Sequence, residues 1–247
     1  MPETTPQREA LPFERDVGEG GRYLYTGGHR LSCRLANARI TAAVMAAAPF
    51  EGARVIDIGC GDGAYTQELA AVARPAEILG VDPAANAIEV ARANRDADRV
   101  SFEVASAYEL PFGDAEFDLA LLRGVVHHTD RPVEALREAL RVGHTVVVVE
   151  PNGLNPSLKL LERVSAYHRD HGERSHAPHR LDGWVASLGG VVVERQWIGF
   201  VPMFAPDWYA CAAKRAEPLL ERAPGLRRIA CAQYVFTARR AATSPPA

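Results

Sequence analysis

Val55-Ile56-Asp57-Ile58-Gly59-Cys60-Gly61-Asp62-Gly63 is the stretch on which the fold turns. A short apolar run ends in three alternate glycines, and a helical pattern follows at once in Ala64-Tyr65-Thr66-Gln67-Glu68-Leu69. It reads as strand, tight turn and helix, with a turn too crowded for side chains. The carboxylates around that turn limit what can rest on it.

Working outward, the same rhythm repeats. Arg54–Ile58, Glu77–Val81, Val100–Val104, Phe117–Leu122 and His144–Glu150 read as strands. Between them, 63–73, 83–93 and 132–141 read as helices; Pro83 near a helix start is tolerated because its missing N–H would be unpaired there anyway. The strands are continuous apolar runs rather than alternating ones, as expected when helices cover both faces. Strand–helix alternation predicts an α/β, doubly wound, mostly parallel sheet with right-handed crossovers. Upstream, an Ala-rich helix spans about 31–48 and stops at Pro49. Downstream, helices are expected at 157–166, 181–188 and 208–221, a sixth strand at 191–197 and a last strand at 229–237.

With 247 residues and 47% hydrophobic content, the chain suits one globular α/β domain. The net charge of −3 gives no global electrostatic case for nucleic acid or an anionic membrane. The N-terminus lacks a basic-then-apolar signal pattern, and no run reaches the roughly 18 apolar residues of a membrane span. Cys33, Cys60, Cys211 and Cys231 form no CxxC pair, so a reduced, cytoplasmic protein is expected, with Cys60 a small filler in the turn. The expected organisation is a loose arm at 1–20, a single domain at 21–240 and a disordered tail at 241–247. Within the domain, 21–48, 151–182 and 199–222 are expected to cap the carboxyl ends of the strands, where open α/β sheets bind ligands.

Two ligand classes use such a turn. Gly59, Gly61 and Ala64 fit the dinucleotide spacing, and Asp82 stands where a ribose-binding acid belongs, so a nicotinamide-dependent oxidoreductase is one reading. Asp57 and Asp62 oppose it, because carboxylates beside a pyrophosphate work against the anion site at a helix N-terminus. S-adenosylmethionine, with an ammonium, a sulfonium and no phosphate, reverses the sign.

Val55–Gly63, Gly80-Val81-Asp82 and the run Leu110-Pro111-Phe112-Gly113-Asp114-Ala115-Glu116-Phe117-Asp118, in this order, resemble the class I S-adenosylmethionine-dependent methyltransferases. The small-molecule branch that includes ubiquinone and menaquinone biosynthesis enzymes is most similar, over roughly residues 50–150. The resemblance implies a Rossmann-like, seven-stranded, mostly parallel sheet whose last strand is antiparallel, with helical cap insertions. It implies S-adenosyl-L-methionine as methyl donor and S-adenosyl-L-homocysteine as product. Gly59, Gly61 and Gly63 would line the methionyl and ribose side, Asp57 would orient the ammonium, and Asp82 would take the ribose hydroxyls with Pro83 beside the adenine. Ala105-Ser106-Ala107 stands where the family has Gly-Asp-Ala, so Ser106 replaces an acid that contacts the adenine amino group. Arg123 falls where the family's backbone meets the methionyl end.

Methyl transfer from a sulfonium needs in-line alignment and exclusion of water, and a protic acceptor must also lose a proton. His128 and His127, just past the fourth strand, and His29 are the candidate bases. Tyr25, with Tyr23 and Arg30, is a candidate for the acceptor side, as is Phe204 in the late aromatic group Trp197, Phe200, Met203, Phe204, Trp208 and Tyr209. In 167–180, His168 with His171 and His176 with His179 share an i, i+3 spacing beside Asp170 and Glu173, which suits a metal; a solvated lid is the competing reading. A third reading gives Arg174 and Arg180, with Arg169, an anionic substrate group. No metal is assigned.

The expected function is methyl transfer from S-adenosylmethionine to an oxygen or nitrogen of a small metabolite by a monomer or homodimer, with no nucleic-acid or membrane partner. Carbon methylation of an activated aromatic, a nicotinamide oxidoreductase and a non-methylating S-adenosylmethionine-binding protein are the competing expectations.

Overall fold

The computed structural model describes residues 30–165, 168–169 and 172–241. Seven strands form one sheet: β1 (Arg54–Ile58), β2 (Glu77–Asp82), β3 (Val100–Val104), β4 (Phe117–Arg123), β5 (Gly143–Pro151), β6 (Gly190–Ile198) and β7 (Gln233–Arg240). Their spatial order is β3-β2-β1-β4-β5-β7-β6. The first five pair in parallel, and β7 runs antiparallel to both β5 and β6. Strand order reverses beside β1, so the crevice lies between β1 and β4.

The described helices are α1 (Leu31–Ala47), α2 (Ala64–Ala73), α3 (Ala85–Ala93), α4 (Pro132–Val142), α5 (Pro156–Val164), α6 (Pro178–Ser187), α7 (Asp207–Arg222) and α8 (Arg227–Ala230). Successive strand residues point to opposite faces, so a continuous apolar strand feeds two cores. Val55, Leu121 and Val147 join Val44 of α1, Leu69 of α2 and Ile88 of α3 in one core. Ile56, Ile58 and Leu122 join Leu136 of α4, Leu181 of α6 and Tyr234 in the other. Among the described residues, no helix is long and apolar enough to cross a membrane.

The structure differs from the sequence expectation at the last strand, expected at 229–237. Residues Arg227–Ala230 are helical, and pairing starts at Gln233, opposite Pro151. The reason is a remote polar anchor. The fully buried Asn152 donates from Nδ2 to the Arg228 and Cys231 carbonyls, both at 2.9 Å, and holds the chain as a helical turn. Helix α3 begins at Ala85 rather than at 83, because Asp82 Oδ1 accepts from the Ala84 N–H at 2.9 Å and keeps Pro83 in the preceding turn.

Candidate functional site

At the end of β1, Gly59, Gly61 and Gly63 have φ of 78°, 55° and 74°, a left-handed backbone that favours glycine. A Cβ on Gly59 would lie 2.5 Å from Val125 Cγ2, and one on Gly63 would lie 2.6 Å from Phe102 Cζ. The turn is stitched to the end of β2. Gly59 and Cys60 donate their N–H groups to the Val81 carbonyl at 2.7 and 3.1 Å, and Gly61 donates to Asp82 Oδ2 at 3.0 Å.

Three carboxylates gather there. Asp57, 4% exposed, accepts from Thr66 Oγ1 at 2.6 Å. Asp62 is buried and accepts from the Ala64 N–H at 3.2 Å. Burial pushes Asp57 up to about 6, against the pull of the Thr66 hydroxyl and of Arg123. Burial also pushes Asp82 up to about 6, with the Ala84 and Gly61 amides pulling back and Asp57 and Asp62 adding repulsion. This donor set suits a cation and opposes a pyrophosphate. Each Asp82 oxygen accepts one amide, so each keeps a lone pair for a hydroxyl.

Arg123, at the end of β4, crosses to the first helix. Its guanidinium donates to Thr41 Oγ1 at 3.0 Å and to Asn37 Oδ1 at 3.4 Å, and stacks 3.8 Å from the centroid of the Tyr65 ring. Burial lowers its pKa, and it faces Asp57 electrostatically. Past β3, Ala105 donates to the Asp82 carbonyl at 3.2 Å, and Ser106 Oγ accepts from the Tyr108 N–H at 3.2 Å. Pro83, Ser106 and Ala107 are half-buried beside that junction. The fold thus brings Asp57, the three glycines, Asp82, Pro83, Ser106, Ala107 and Arg123 to the carboxyl ends of β1–β4.

The His pair lies in a 3-10 turn, Val126–His128. Glu150, at the end of β5 and 0% exposed, organises it. Oε1 accepts from the Val125 and Val126 N–H groups at 2.9 and 2.8 Å, and Oε2 accepts from the His127 N–H at 3.0 Å. Oε2 also stands 2.9 Å from His127 Nδ1. Burial lowers the His127 pKa, but Glu150 outweighs it and the net shift is upward. The two imidazoles lie 3.9 Å apart, centroid to centroid. Glu150 was missed by sequence reasoning; the available signal was an acid closing the apolar run Val146–Val149.

Residues 172–177 cross this turn. The Arg174 N–H donates to the His127 carbonyl at 3.0 Å, and the Gly153 N–H to the His176 carbonyl at 3.1 Å. Glu162 of α5 accepts from the Ser175 N–H at 3.1 Å, and Lys159 Nζ donates to the Ser175 carbonyl at 2.7 Å. Arg174 and Arg180 present exposed side chains, Arg180 lying 5.2 Å from the Trp184 ring centroid. His168 pairs with Glu173 at 3.3 Å. Asp170 and His171 lie outside the described residues, and among those described no group of three or more His, Cys, Asp or Glu is placed to hold a metal.

Tyr25 and His29 also lie outside the described residues. Phe204 has φ 62°; its carbonyl accepts from Arg30 Nη1 at 3.1 Å, and that guanidinium lies 5.7 Å from its ring. The late aromatic group does not form one wall. Trp197 packs on Tyr234 at 5.1 Å in the second core, Met203 joins the first, and Trp208 is 73% exposed.

Comparison with known proteins bears on the family and the fold. Residues 56–145 match the family model described as a methyltransferase domain. The 27-O-demethylrifamycin SV methyltransferase of Amycolatopsis mediterranei is 30% identical over 236 residues, covering 89% of this chain and 82% of that enzyme. A ubiquinone biosynthesis O-methyltransferase of a Chelativorans species is 36% identical over 170 residues, 64% of this chain and 66% of that enzyme. A solved S-adenosylmethionine-dependent methyltransferase from Thermotoga maritima, described as a possible histamine N-methyltransferase, superimposes with a TM-score of 0.67 at 21% identity, over 94% of this chain and all of the other.

Proposed function

Because the chain belongs to the S-adenosylmethionine-dependent methyltransferases, we propose that its acceptor is an oxygen of a small molecule. The observation that supports removal of a proton from the acceptor is the buried His127–Glu150 pair, and the choice of oxygen over nitrogen rests on the two relatives. A hydroxyl must lose a proton as it is methylated, and a histidine whose affinity for protons is raised by a buried carboxylate is suited to receive it. The two curated relatives described above are O-methyltransferases, which supports the same reading.

When bound, S-adenosylmethionine supplies an electrophilic methyl on a sulfonium. The chain's own residues do the rest. Asp57 orients the ammonium, and Asp82 takes the ribose hydroxyls on its two free lone pairs. Gly59, Gly61 and Gly63 let the backbone approach, with Pro83, Ser106 and Ala107 along the adenine side. Ser106 is a weaker partner for an adenine amino group than a carboxylate, and its Oγ already accepts the Tyr108 amide. Arg123 draws the first helix onto the methionyl end and offsets part of the Asp57 charge. With Nδ1 committed to Glu150, His127 keeps Nε2 for the acceptor's proton; His128 stacks against it and shapes the same wall. Arg174 lies on the segment that crosses this turn, its backbone bonded to His127, and Arg180 lies in the first turn of α6.

The test is a panel of phenols, alcohols and amines with labelled donor, read by mass spectrometry for the position of the added methyl. Oxygen methylation supports the reading. Methylation confined to nitrogen or carbon overturns it, as does preferential binding of NAD in a parallel calorimetric titration.

A further inference from the structure

We propose a second binding site, for a small molecule carrying a carboxylate or phosphate, at the carboxyl end of the edge strand β6. There β6, α7, α8 and α1 enclose a pocket of about 270 Å³ walled by Arg39, Arg195, Trp197, Glu221, Arg222 and Arg227. Four guanidinium groups face one carboxylate in this wall.

The charges do not cancel locally. Glu221 is fully engaged: Arg39 grips it through Nε at 2.9 Å and Nη2 at 2.7 Å, and the Gly199 N–H donates to it at 2.9 Å. Arg195 is turned to Asp182 at 2.7 Å. Arg222 and Arg227 have no ion pair among the described residues. Arg227 and Arg228 instead lie 5.3 and 5.6 Å from the centroid of the Trp197 ring. Two like charges flank one aromatic with no anion between them.

The same wall holds two further donors that lack an acceptor. Arg227 Nε and Trp197 Nε1 are both buried without a hydrogen-bond partner. Buried donors are normally paired, so two orphans of the same polarity in one basic pocket point to a missing acceptor rather than a missing cation. A carboxylate or phosphate supplies several lone pairs, and a guanidinium fork is matched to both.

The site is separate from the glycine turn. β6 lies four strands from β1 in the sheet, roughly 19 Å at the usual strand spacing. It therefore adds to the methyl-transfer reading and does not depend on it.

The experiment titrates inorganic phosphate, and separately citrate, into the full chain at ionic strength matched with sodium chloride. Thermal stability and tryptophan fluorescence are the readouts. A saturable rise with phosphate alone identifies a phosphate ligand, one with citrate alone a carboxylate ligand, and one with both a site that takes either; each supports the site. Substituting Arg222→Gln with Arg227→Gln is expected to weaken binding by about tenfold or more, the worth of one charge-assisted hydrogen bond. Trp197→Phe keeps an aromatic face, removes Nε1 and, read by thermal stability, is expected to weaken binding by a few fold. Calorimetric S-adenosylmethionine affinity, expected to be unchanged, checks that each variant is folded. A response that follows ionic strength alone, or is unchanged in folded variants, overturns the proposal.

Discussion

Glu150 holds His127 twice, accepting its backbone N–H at 3.0 Å and standing 2.9 Å from its ring Nδ1. One carboxylate thus fixes both the position of the turn and the orientation of the imidazole. The pair joins the turn after β4, which borders the crevice, to the end of β5.

Glu150→Gln is expected to reduce turnover and to move the acid limb of the kcat profile to lower pH. His127 titrates above its ordinary value because of Glu150, and it must be neutral to accept a proton. The stabilising contribution of protonated His127 is present below about pH 6.5 and is lost as pH rises through its higher folded pKa. A pH–rate series on native and variant enzyme, beside urea melts, separates chemistry from folding. An unmoved acid limb removes the pair from proton transfer.

Donor affinity is expected to rise with pH through about 6. In the free protein Asp57 and Asp82 hold protons up to that pH, so their ionisation opposes the native state by about 3 kcal/mol each as pH climbs from near 4 to near 6. A cationic donor favours the ionised forms and expels those protons. Calorimetry in two buffers of different ionisation enthalpy should show proton release near pH 6 and none near pH 8. Asp57→Asn should lose that signal in part and weaken binding by about 2–3 kcal/mol.

Gly59→Ala is expected to destabilise the fold by about 1–3 kcal/mol and to reduce donor binding, since its Cβ would fall 2.5 Å from Val125 on a left-handed backbone. Adding Val125→Ala should recover the packing share and leave the conformational share. Urea midpoints of the two single variants and the double variant measure the coupling.

Arg123→Lys is expected to behave like Arg123→Met. An ammonium can reach Thr41 but reproduces neither the flat stack on Tyr65 nor the bond to Asn37. Both variants should weaken donor binding near pH 6, because Asp57 loses the charge that helps keep it ionised or has it displaced. Equal donor affinity in Arg123→Lys and native protein would refute this.

The glycine turn and most strands are legible in the sequence because they rest on contiguous apolar runs and local glycines. Glu150 was not, because its partner lies 23 positions away, and Thr41 is 82 positions from Arg123. Locally, Glu150 shows only as an acid closing an apolar run, and nothing there names its partner. The last strand shows the same limit: Ile229 and Ala230 carry strand-compatible side chains, yet Asn152, 76 positions from Arg228, holds that stretch helical. Asn152→Ala should therefore lower stability by about 2 kcal/mol, as read by urea denaturation, through the loss of the amide bonds to Arg228 and Cys231, of which the Cys231 carbonyl keeps Asn155 as a donor.

The reversed strand β7 sits between β5 and β6, although it follows both in the chain. On the ribosome, β1 to β4 have all their ladder partners as soon as β5 emerges, while β5 keeps one edge open for β7. β6 has none: its ladder partner is still to be translated. Nascent chains stalled once residue 198 has left the ribosome, with the reversed strand still inside it, should expose an unpaired, valine-rich edge to chaperones until that strand slots between its two neighbours.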